Sequence, residues 1–149
     1  MITRRSALAA LAAPAFLSAQ SSSDEVRASI IGVGGRGSGV LRSVVVSPGV
    51  KLAAVCDIDP EARDRGATIG KDHKPDLFED WRKLIARDDI DAVVIATPVD
   101  LHTEMAVAAL DAGLNVYLEK PMGRTPEEVK AVMDAALSLI HISEPTRLQ

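Results

Sequence analysis

The sequence predicts an α/β fold in which five parallel strands form a doubly wound sheet with helices on both faces. Apolar runs typical of buried strands alternate with helical segments five times along residues 26–136. A glycine-rich turn at 32–37 joins the first strand to the first helix, and polar or proline-containing turns follow other strands. Because parallel strands end at one edge of such a sheet, where ligands bind, we expect these turns to lie close together.

Local signals place each element in the first part of this fold. The apolar strand Val26–Ile31 runs straight into the glycines. The next helix is predicted over Ser38–Val46, where its β-branched residues rely on packing against the sheet, and it ends at the turn 47–49. The second strand, Lys51–Cys56, is nearly all apolar, as expected when helices cover both faces of a parallel sheet.

The rest of the chain carries capping residues at helix starts, glycines at helix ends and short apolar strands. These signals predict a helix over 60–70 capped by Asp59, an edge strand at Leu77 and Phe78, and a helix over 81–86 capped by Asp80. A strand over 90–96 and a helix over 101–112, which Gly113 closes, are predicted next. The last predicted elements are a strand over 115–118 and a helix over 126–136 that a capping box at Thr125 and Glu128 opens.

The composition is that of one soluble globular domain, with 47% hydrophobic and 26% charged residues in a chain of 149. The net charge of −4 and the scattered basic residues predict neither a nucleic-acid surface nor a polybasic membrane patch. The one cysteine, Cys56, excludes an internal disulfide and a metal site built on cysteine pairs, and no metal site is predicted. We expect Cys56 to be a small buried hydrophobe at a strand end.

Residues 1–19 have the layout of a bacterial export signal, in which the arginine pair 4–5 precedes an apolar run too short to span a bilayer. The pair resembles a twin-arginine signal, although Ala7 and Ala9 stand where that signal usually has Phe and Lys, which leaves the general secretory route open. A frayed amphiphilic tail is the alternative. A polar linker follows over 20–25. We therefore expect export to the periplasm and no membrane segment in the mature form.

The glycine-rich turn fits the G-x-G-x-x-G pattern that favours a dinucleotide. In that pattern Gly32 makes the tight turn, Gly34 lets a pyrophosphate approach, and Gly37 packs the helix on the strand. The helix N-terminus adds free N–H groups for the phosphates. By itself the pattern also fits an ordinary flexible loop, and Arg36 either approaches the pyrophosphate or is solvated. The candidate cofactor-binding residues of this turn are Gly32, Val33, Gly34, Gly35, Arg36 and Gly37.

Asp57 lies twenty residues after Gly37, at the end of the second strand. An acidic side chain there accepts hydrogen bonds from the adenosine ribose hydroxyls, and it repels the 2′-phosphate of NADP. The next residue is Ile58, not a basic one, so NAD is favoured over NADP. A solvated turn aspartate is the alternative interpretation of Asp57.

Several motifs together resemble the N-terminal domain of the glucose-fructose oxidoreductase / inositol dehydrogenase (Gfo/Idh/MocA) family over about residues 26–136. They are Ile31 to Gly37, Ala96-Thr97-Pro98 with His102, Ala112-Gly113, and Val116-Tyr117-Leu118-Glu119-Lys120-Pro121. The resemblance implies a Rossmann fold, an NAD-dependent oxidoreductase acting on a sugar or cyclitol-like alcohol, and a homo-oligomeric full-length parent. A non-catalytic dinucleotide-binding or regulatory protein and another Rossmann reductase are the alternatives.

The resemblance also implies roles for individual residues. Lys120 would be the catalytic residue, since it would hydrogen-bond the substrate hydroxyl and assist its deprotonation as hydride leaves the same carbon. Pro121 would fix the loop that carries Lys120, and Glu119 would orient the lysine or contact the cofactor. Thr97 and Pro98 would line the nicotinamide side.

The segment after Pro98 leaves alternatives open. His102 matches a histidine that the family often has at this position and is a candidate cofactor contact, although structural duty at a helix start is the alternative. Val99 stands where the family often has Asn or Asp, which puts that polar contact in doubt, and Asp100 is expected to cap the helix instead. His73 is interpreted as a surface loop residue.

Members of the resembled family carry a second α+β domain with the substrate pocket, and the chain ends where that domain is expected. Within the tail 137–149, residues 137–147 have the sequence expected from translation of a transposase-type sequencing-library adapter. We interpret this tail as adapter read-through after a truncated domain. We therefore expect the fragment to bind NAD weakly at best and to turn over no sugar.

Overall fold

The computed structural model describes residues 25–142. Segments 1–24 and 143–149 lie outside this part, and with them the predicted export signal and nearly all of the linker. The elements follow one another as β1 (Val26–Ile31), α1 (Gly35–Val45), β2 (Val50–Cys56), α2 (Pro60–Ile69), β3 (Asp76–Phe78), α3 (Trp81–Ile85), β4 (Ala92–Ile95), a 3-10 turn (Val99–Leu101), α4 (His102–Asp111), β5 (Asn115–Leu118) and α5 (Pro126–Ile142).

The five strands form one sheet in the order β3-β2-β1-β4-β5, and every adjacent pair is parallel. The central strand β1 buries Ile30 on one face and Ile31 on the other. Ile30 packs with Leu41 of α1, whereas Ile31 belongs to the core that includes Met105 of α4. Strand order reverses between β1 and β4, so the sheet is doubly wound as predicted, and this reversal is where ligands bind in such sheets.

The elements with the clearest local signals are those that the sequence predicts best. The bounds of β1 and β5 are the predicted ones. Asp59 caps α2 by accepting from the Glu61 N–H at 3.0 Å, and Asp80 caps α3 by accepting from the Arg82 N–H at 3.0 Å. Both caps were predicted from residue type and position and are confirmed.

Two helix boundaries differ from the prediction by three residues or more. Helix α1 begins at Gly35, not at Ser38, because the glycine turn itself forms its first turn, with the Ser38 N–H donating to the Gly34 carbonyl at 2.9 Å. Helix α5 runs beyond Ala136 to Ile142. The adapter hypothesis concerns the nucleotide sequence and stays a prediction.

The predicted capping role of Asp100 is wrong. A 3-10 turn precedes α4, and no side chain caps either element. The Asp100 carboxylate instead pairs with Arg124 at 3.0 Å, across to the loop after β5. In the predicted capping box at α5, the Glu128 N–H donates to Thr125 Oγ1 at 3.2 Å as expected, but the Glu128 carboxylate accepts from the Arg124 N–H.

His73 is half-buried and holds two elements together, so its interpretation as a surface loop residue is wrong. Its Nδ1 accepts from the Leu52 N–H at 3.1 Å, which leaves Nε2 to donate to the Val45 carbonyl at 3.1 Å. Cys56 is buried at the end of β2 as predicted, and burial followed by the charge of Asp57 raises the pKa of its thiol to about 12. Within residues 25–142, no helix is long and apolar enough to cross a membrane.

Candidate dinucleotide site

The glycine turn has the geometry that its residue types predict. Gly32 has φ of +89°, and a Cβ there would lie 2.8 Å from the Ala96 carbonyl carbon, so only glycine fits. A Cβ on Gly37 would collide with the Gly32 carbonyl oxygen, which explains the close packing of α1 on the end of β1. No atom lies within 4 Å of a Cβ placed on Gly34 or Gly35. The turn is therefore tight on its inner side and open on its outer side.

The open side of the turn is suited to an anion. Gly34 is the N-cap of α1 and makes no side-chain cap hydrogen bond, and the N–H groups of the first turn have no intrahelical acceptor. Such N–H groups, with the positive end of the helix dipole, bind phosphate. The space beside Gly34 and Gly35 is the observation that fits a pyrophosphate here.

Two side chains that donate hydrogen bonds to the backbone of the glycine turn were not predicted from the sequence. Ser38 Oγ donates to the Val33 carbonyl at 2.8 Å. Arg65 reaches across from α2, and its Nη2 donates to the same carbonyl at 3.2 Å. Arg63, also in α2, donates to the Asp57 carbonyl at 2.6 Å. The sequence signal available for these contacts was the spacing of Arg63 and Arg65, which lie two positions apart in α2.

The carboxylate of Asp57 joins the glycine turn to the turn after β2. Its Oδ2 accepts from the Val33 N–H at 2.7 Å, and its Oδ1 accepts from the Asp59 N–H at 3.0 Å. Each carboxylate oxygen has a further acceptor position, so both remain able to accept from a ribose hydroxyl. The neighbouring Ile58 side chain is 80% exposed beside it.

Asp57 and Ile58 line a cavity of about 370 Å³, here called the Asp57 cavity. Its wall is mostly apolar, as expected for a site that takes a flat base. Wall residues outside the glycine turn include Cys56, Trp81, Pro98, Leu101 and Met105. Trp81 was not predicted as a site residue, and it is the one tryptophan of the chain.

A second cavity of about 450 Å³, here called the Lys120 cavity, lies on the other side of the strand reversal. It is lined by Arg36, Ala96, Thr97, His102, Glu119 and Lys120. The two cavities share Ala96 and Thr97, which follow β4. Thr97 lines both cavities and Pro98 lines the Asp57 cavity, and their assignment to the nicotinamide side stays a prediction.

The turns that form both cavities are aligned by backbone hydrogen bonds that continue past the strand ends. The Ala96 N–H donates to the Ile31 carbonyl at 2.9 Å, and the Glu119 N–H donates to the Ile95 carbonyl at 2.9 Å. The predicted gathering of the site residues at the carboxyl edge of the sheet is therefore observed.

Arg36 and Glu119 form an ion pair that neither alternative for Arg36 anticipated. Glu119 is 5% exposed, and its Oε1 accepts from Arg36 Nε at 2.9 Å and lies 2.8 Å from Arg36 Nη2 in the ion pair. The hydrogen bond from Arg36 is the main cause that lowers the pKa of Glu119. The other carboxylate oxygen accepts from the Lys120 N–H at 3.3 Å. Glu119 thus ties the glycine turn to the backbone of Lys120.

Lys120 lies at the rim of its cavity with an exposed side chain, before a cis peptide bond to Pro121. No ion pair within residues 25–139 involves Lys120. His102 is 2% exposed, with Nδ1 2.8 Å from the Pro121 carbonyl and Nε2 2.9 Å from the Thr97 carbonyl. Both its nitrogens contact backbone, which supports the structural alternative for His102 over a cofactor contact.

No group of three or more His, Cys, Asp or Glu residues in the described part of the chain is arranged to hold a metal. The site is instead built from backbone N–H groups, a carboxylate after β2 (Asp57), a carboxylate after β5 (Glu119), and one amine. Such a set recognises an anionic, hydroxyl-bearing ligand.

Comparison with known proteins decides what this ligand is. The model of the oxidoreductase family with an NAD-binding Rossmann fold, Gfo/Idh/MocA, matches residues 26–140. The chain belongs to the Gfo/Idh/MocA oxidoreductase family. Its family, its Rossmann fold and its NAD cofactor were predicted from the sequence and are confirmed.

Similar proteins in this family are longer than the chain. A Glycosyl hydrolase family 109 protein of Shewanella amazonensis is 40% identical over 119 residues, which cover 75% of this chain and 26% of the relative. The myo-inositol 2-dehydrogenase of Lactobacillus plantarum has a TM-score of 0.69 at 33% identity, covering 76% of this chain and 33% of the other. The scyllo-inositol dehydrogenase of Lactobacillus casei, solved with NAD(H) and scyllo-inositol, has a TM-score of 0.71 at 26% identity, covering 78% and 34%.

This Gfo/Idh/MocA chain therefore spans about a quarter of the length of the curated relatives it matches. The matched part is the NAD-binding Rossmann domain of an oxidoreductase.

Proposed function

We propose that this domain belongs to an enzyme that transfers hydride between NAD and a sugar or cyclitol-like alcohol, with Lys120 acting on the substrate hydroxyl. The observation that carries the proposal is the meeting of the Asp57 cavity and the Lys120 cavity at Ala96 and Thr97. A dinucleotide that crosses this point with its adenosine half beside Asp57 brings its nicotinamide half to the Lys120 cavity. The two inositol dehydrogenases among the similar structures support the substrate class.

The residues around the reversal have distinct tasks in this proposal. The N–H groups at Gly34 to Gly37 hold the pyrophosphate, and Asp57 accepts from the adenosine ribose. Ile58 and Trp81 give the adenine an apolar wall. When bound, NAD would supply the nicotinamide ring that accepts hydride from the carbinol carbon of the substrate.

Lys120 has the freedom that a catalytic amine needs. Its side chain is exposed at the rim and has no ion-pair partner within residues 25–139, whereas Glu119 and Pro121 hold its backbone. In the proposed reaction the amine, in its neutral form, accepts a hydrogen bond from the substrate hydroxyl and takes its proton as the C–H bond breaks, which leaves the lysine as the ammonium. Lys120 therefore holds and moves the proton, while Asp57 and the glycine turn bind the adenosine and pyrophosphate groups of NAD.

The test uses the full-length parent, because the chain is about a quarter of its relatives' length. The Lys120→Ala variant is expected to lose at least about 10²-fold in turnover of the alcohol, the scale of one acid–base group, with NAD affinity nearly unchanged. Lys71→Ala, which removes an exposed lysine near α2, is the matched control. Retained turnover in Lys120→Ala would refute the catalytic role of Lys120, whereas NAD binding without turnover in the unaltered parent would make the protein a non-catalytic dinucleotide-binding or regulatory member.

A second candidate function rests on the 40% identical relative, which is named a glycosyl hydrolase. Hydrolysis of a glycoside involves no net oxidation, so a hydride taken by NAD would have to return to the same sugar. The full-length parent separates the two functions in one assay. Accumulating NADH with an alcohol supports the dehydrogenase, whereas glycoside cleavage without NADH accumulation supports the hydrolase.

We also propose that the full-length parent is exported as a folded, cofactor-loaded homo-oligomer, with no nucleic-acid partner. The arginine pair and apolar run within residues 1–19 support export. Cell fractionation is expected to find the protein in the periplasm with an N-terminus near residue 20, and replacing both arginines by lysine is expected to block export by the twin-arginine route. A soluble cytoplasmic protein with the intact N-terminus would refute the proposal.

A further inference from the structure

His102 connects the two loops that face each other across the Lys120 cavity. The residue begins α4 and is 2% exposed. Its Nε2 lies 2.9 Å from the carbonyl of Thr97, in the loop after β4, and its Nδ1 lies 2.8 Å from the carbonyl of Pro121, in the loop after β5. One buried ring thus spans both walls of the cavity.

The ring holds both loops by hydrogen bonds when both of its nitrogens are protonated, because both of its partners are carbonyl acceptors. A neutral imidazole has one N–H and donates to one carbonyl, whereas the doubly protonated ring donates to both. In either form no ring nitrogen is left for a ligand. His102 therefore lines the cavity and shapes it, but it offers no ring nitrogen to what the cavity binds.

Beyond Glu119, which the ion pair with Arg36 holds at the end of β5, the other attachments of the Lys120 loop are weaker. The Lys120 N–H reaches Glu119 at 3.3 Å, which is long for a hydrogen bond to a carboxylate. The Arg124 to Asp100 ion pair beyond Pro121 is exposed on both sides, and such pairs contribute little. The buried contact between His102 and Pro121 is therefore the main link between the loop and α4.

We propose that His102 is a positioning residue for Lys120, because it sets the separation of the Thr97 and Pro121 backbones and so the width of the Lys120 cavity. The proposal rests on the proposed function, in which the nicotinamide half of NAD enters this cavity. Loosening the cavity lowers affinity for the nicotinamide half alone. The adenosine half is bound across the strand reversal, by Asp57 and the glycine turn, and is unaffected.

Two ligands, measured on the chain itself, distinguish binding of the adenosine half of NAD from binding of its nicotinamide half. ADP-ribose carries the adenosine and pyrophosphate groups but no nicotinamide, whereas NADH carries all three. Quenching of Trp81 emission reports on ADP-ribose, since Trp81 lines the Asp57 cavity and is the one tryptophan. The fluorescence of the dihydronicotinamide reports on NADH.

The variant is His102→Phe, which keeps a ring of similar size and removes both nitrogens. We expect affinity for NADH to fall by about tenfold, the scale of one or two lost hydrogen bonds, and affinity for ADP-ribose to stay within about twofold. His73→Phe is the matched control. It also removes a half-buried histidine that bridges two backbone groups, but its partners Leu52 and Val45 lie away from both cavities. We expect it to leave the ratio of the two affinities unchanged.

Each outcome has a defined meaning. An equal loss of both affinities, or an unchanged affinity for NADH, overturns the proposal, because a merely structural histidine has one of these effects. If the unaltered chain binds neither ligand, the proposed cofactor site fails and the positioning role with it. If it binds NADH no more tightly than ADP-ribose, cofactor binding stands and the positioning role is wrong. If His102→Phe does not fold, His102→Gln, whose amide still donates to one carbonyl, is compared in the same way and is expected to show a smaller loss for NADH alone.

Discussion

Gly37 and Gly39 lie in the same helix but under opposite constraints. A Cβ on Gly37 would collide with the Gly32 carbonyl oxygen, which is backbone and cannot turn aside. No atom lies within 4 Å of a Cβ on Gly39. We expect Gly37→Ala to lower the free energy of unfolding by about 1–3 kcal/mol or more through overpacking, and Gly39→Ala to raise it by about 0.5–1 kcal/mol through helix propensity. Urea unfolding of the chain measures both, and a Gly37→Ala midpoint equal to the unaltered one would contradict the close packing.

Asp57 carries the distinction between NAD and NADP. Replacing it by Asn keeps its size and removes the charge that repels a 2′-phosphate. We expect Asp57→Asn to lower NAD affinity by about tenfold and to narrow the preference for NAD over NADP, as measured by titration of the chain with both ligands. Asp64→Asn, which makes the same change at an exposed position of α2, is the control. A preference for NADP in the unaltered chain would contradict the assigned role.

At the scale of elements, the Arg36 to Glu119 ion pair joins α1 to the end of β5. The hydrogen bond from Arg36 lowers the pKa of Glu119 in the folded chain. A carboxylate with a lowered folded pKa stabilises the fold above its unfolded pKa of about 4.3 and loses this contribution as pH falls through the folded value. We therefore expect the unaltered chain to exceed Glu119→Gln in free energy of unfolding at pH 7, with the difference shrinking below about pH 4.

Urea unfolding of the two proteins from pH 3 to pH 7 measures this difference. Glu104→Gln breaks an exposed pair with Arg82 and serves as the control, since exposed pairs contribute little. A difference between the unaltered chain and Glu119→Gln that does not change with pH would show that Arg36 has no part in the stability of this junction.

For the whole molecule, the features predictable from the sequence are those with local causes. Strand periodicity, helix caps such as Asp59, and the glycine turn depend on neighbouring residues, so the fold and the edge that carries the site follow from them. The contact of Arg36 with Glu119 joins residues 83 positions apart, and that of His102 with Pro121 depends on two loops meeting. Long side chains choose such partners only once the strand order is set, and no local pattern reveals the choice.

The Lys120 cavity reaches solvent at Lys120, whose side chain is exposed, and Tyr117 of the edge strand β5 is 54% exposed. Ligand sites that bind tightly bury most of the ligand surface. We therefore expect the chain alone to bind NAD at least about tenfold more weakly than the full-length parent, a difference of about 1.4 kcal/mol, and to reduce no NAD with inositol or other cyclitols. Calorimetric titration of both proteins measures the affinities, and NADH absorbance measures turnover. ADP-ribose is the control ligand, because the groups that bind it lie within the Asp57 cavity and the glycine turn. Equal affinities of chain and parent for NAD would contradict this expectation and show that the domain completes the cofactor site by itself.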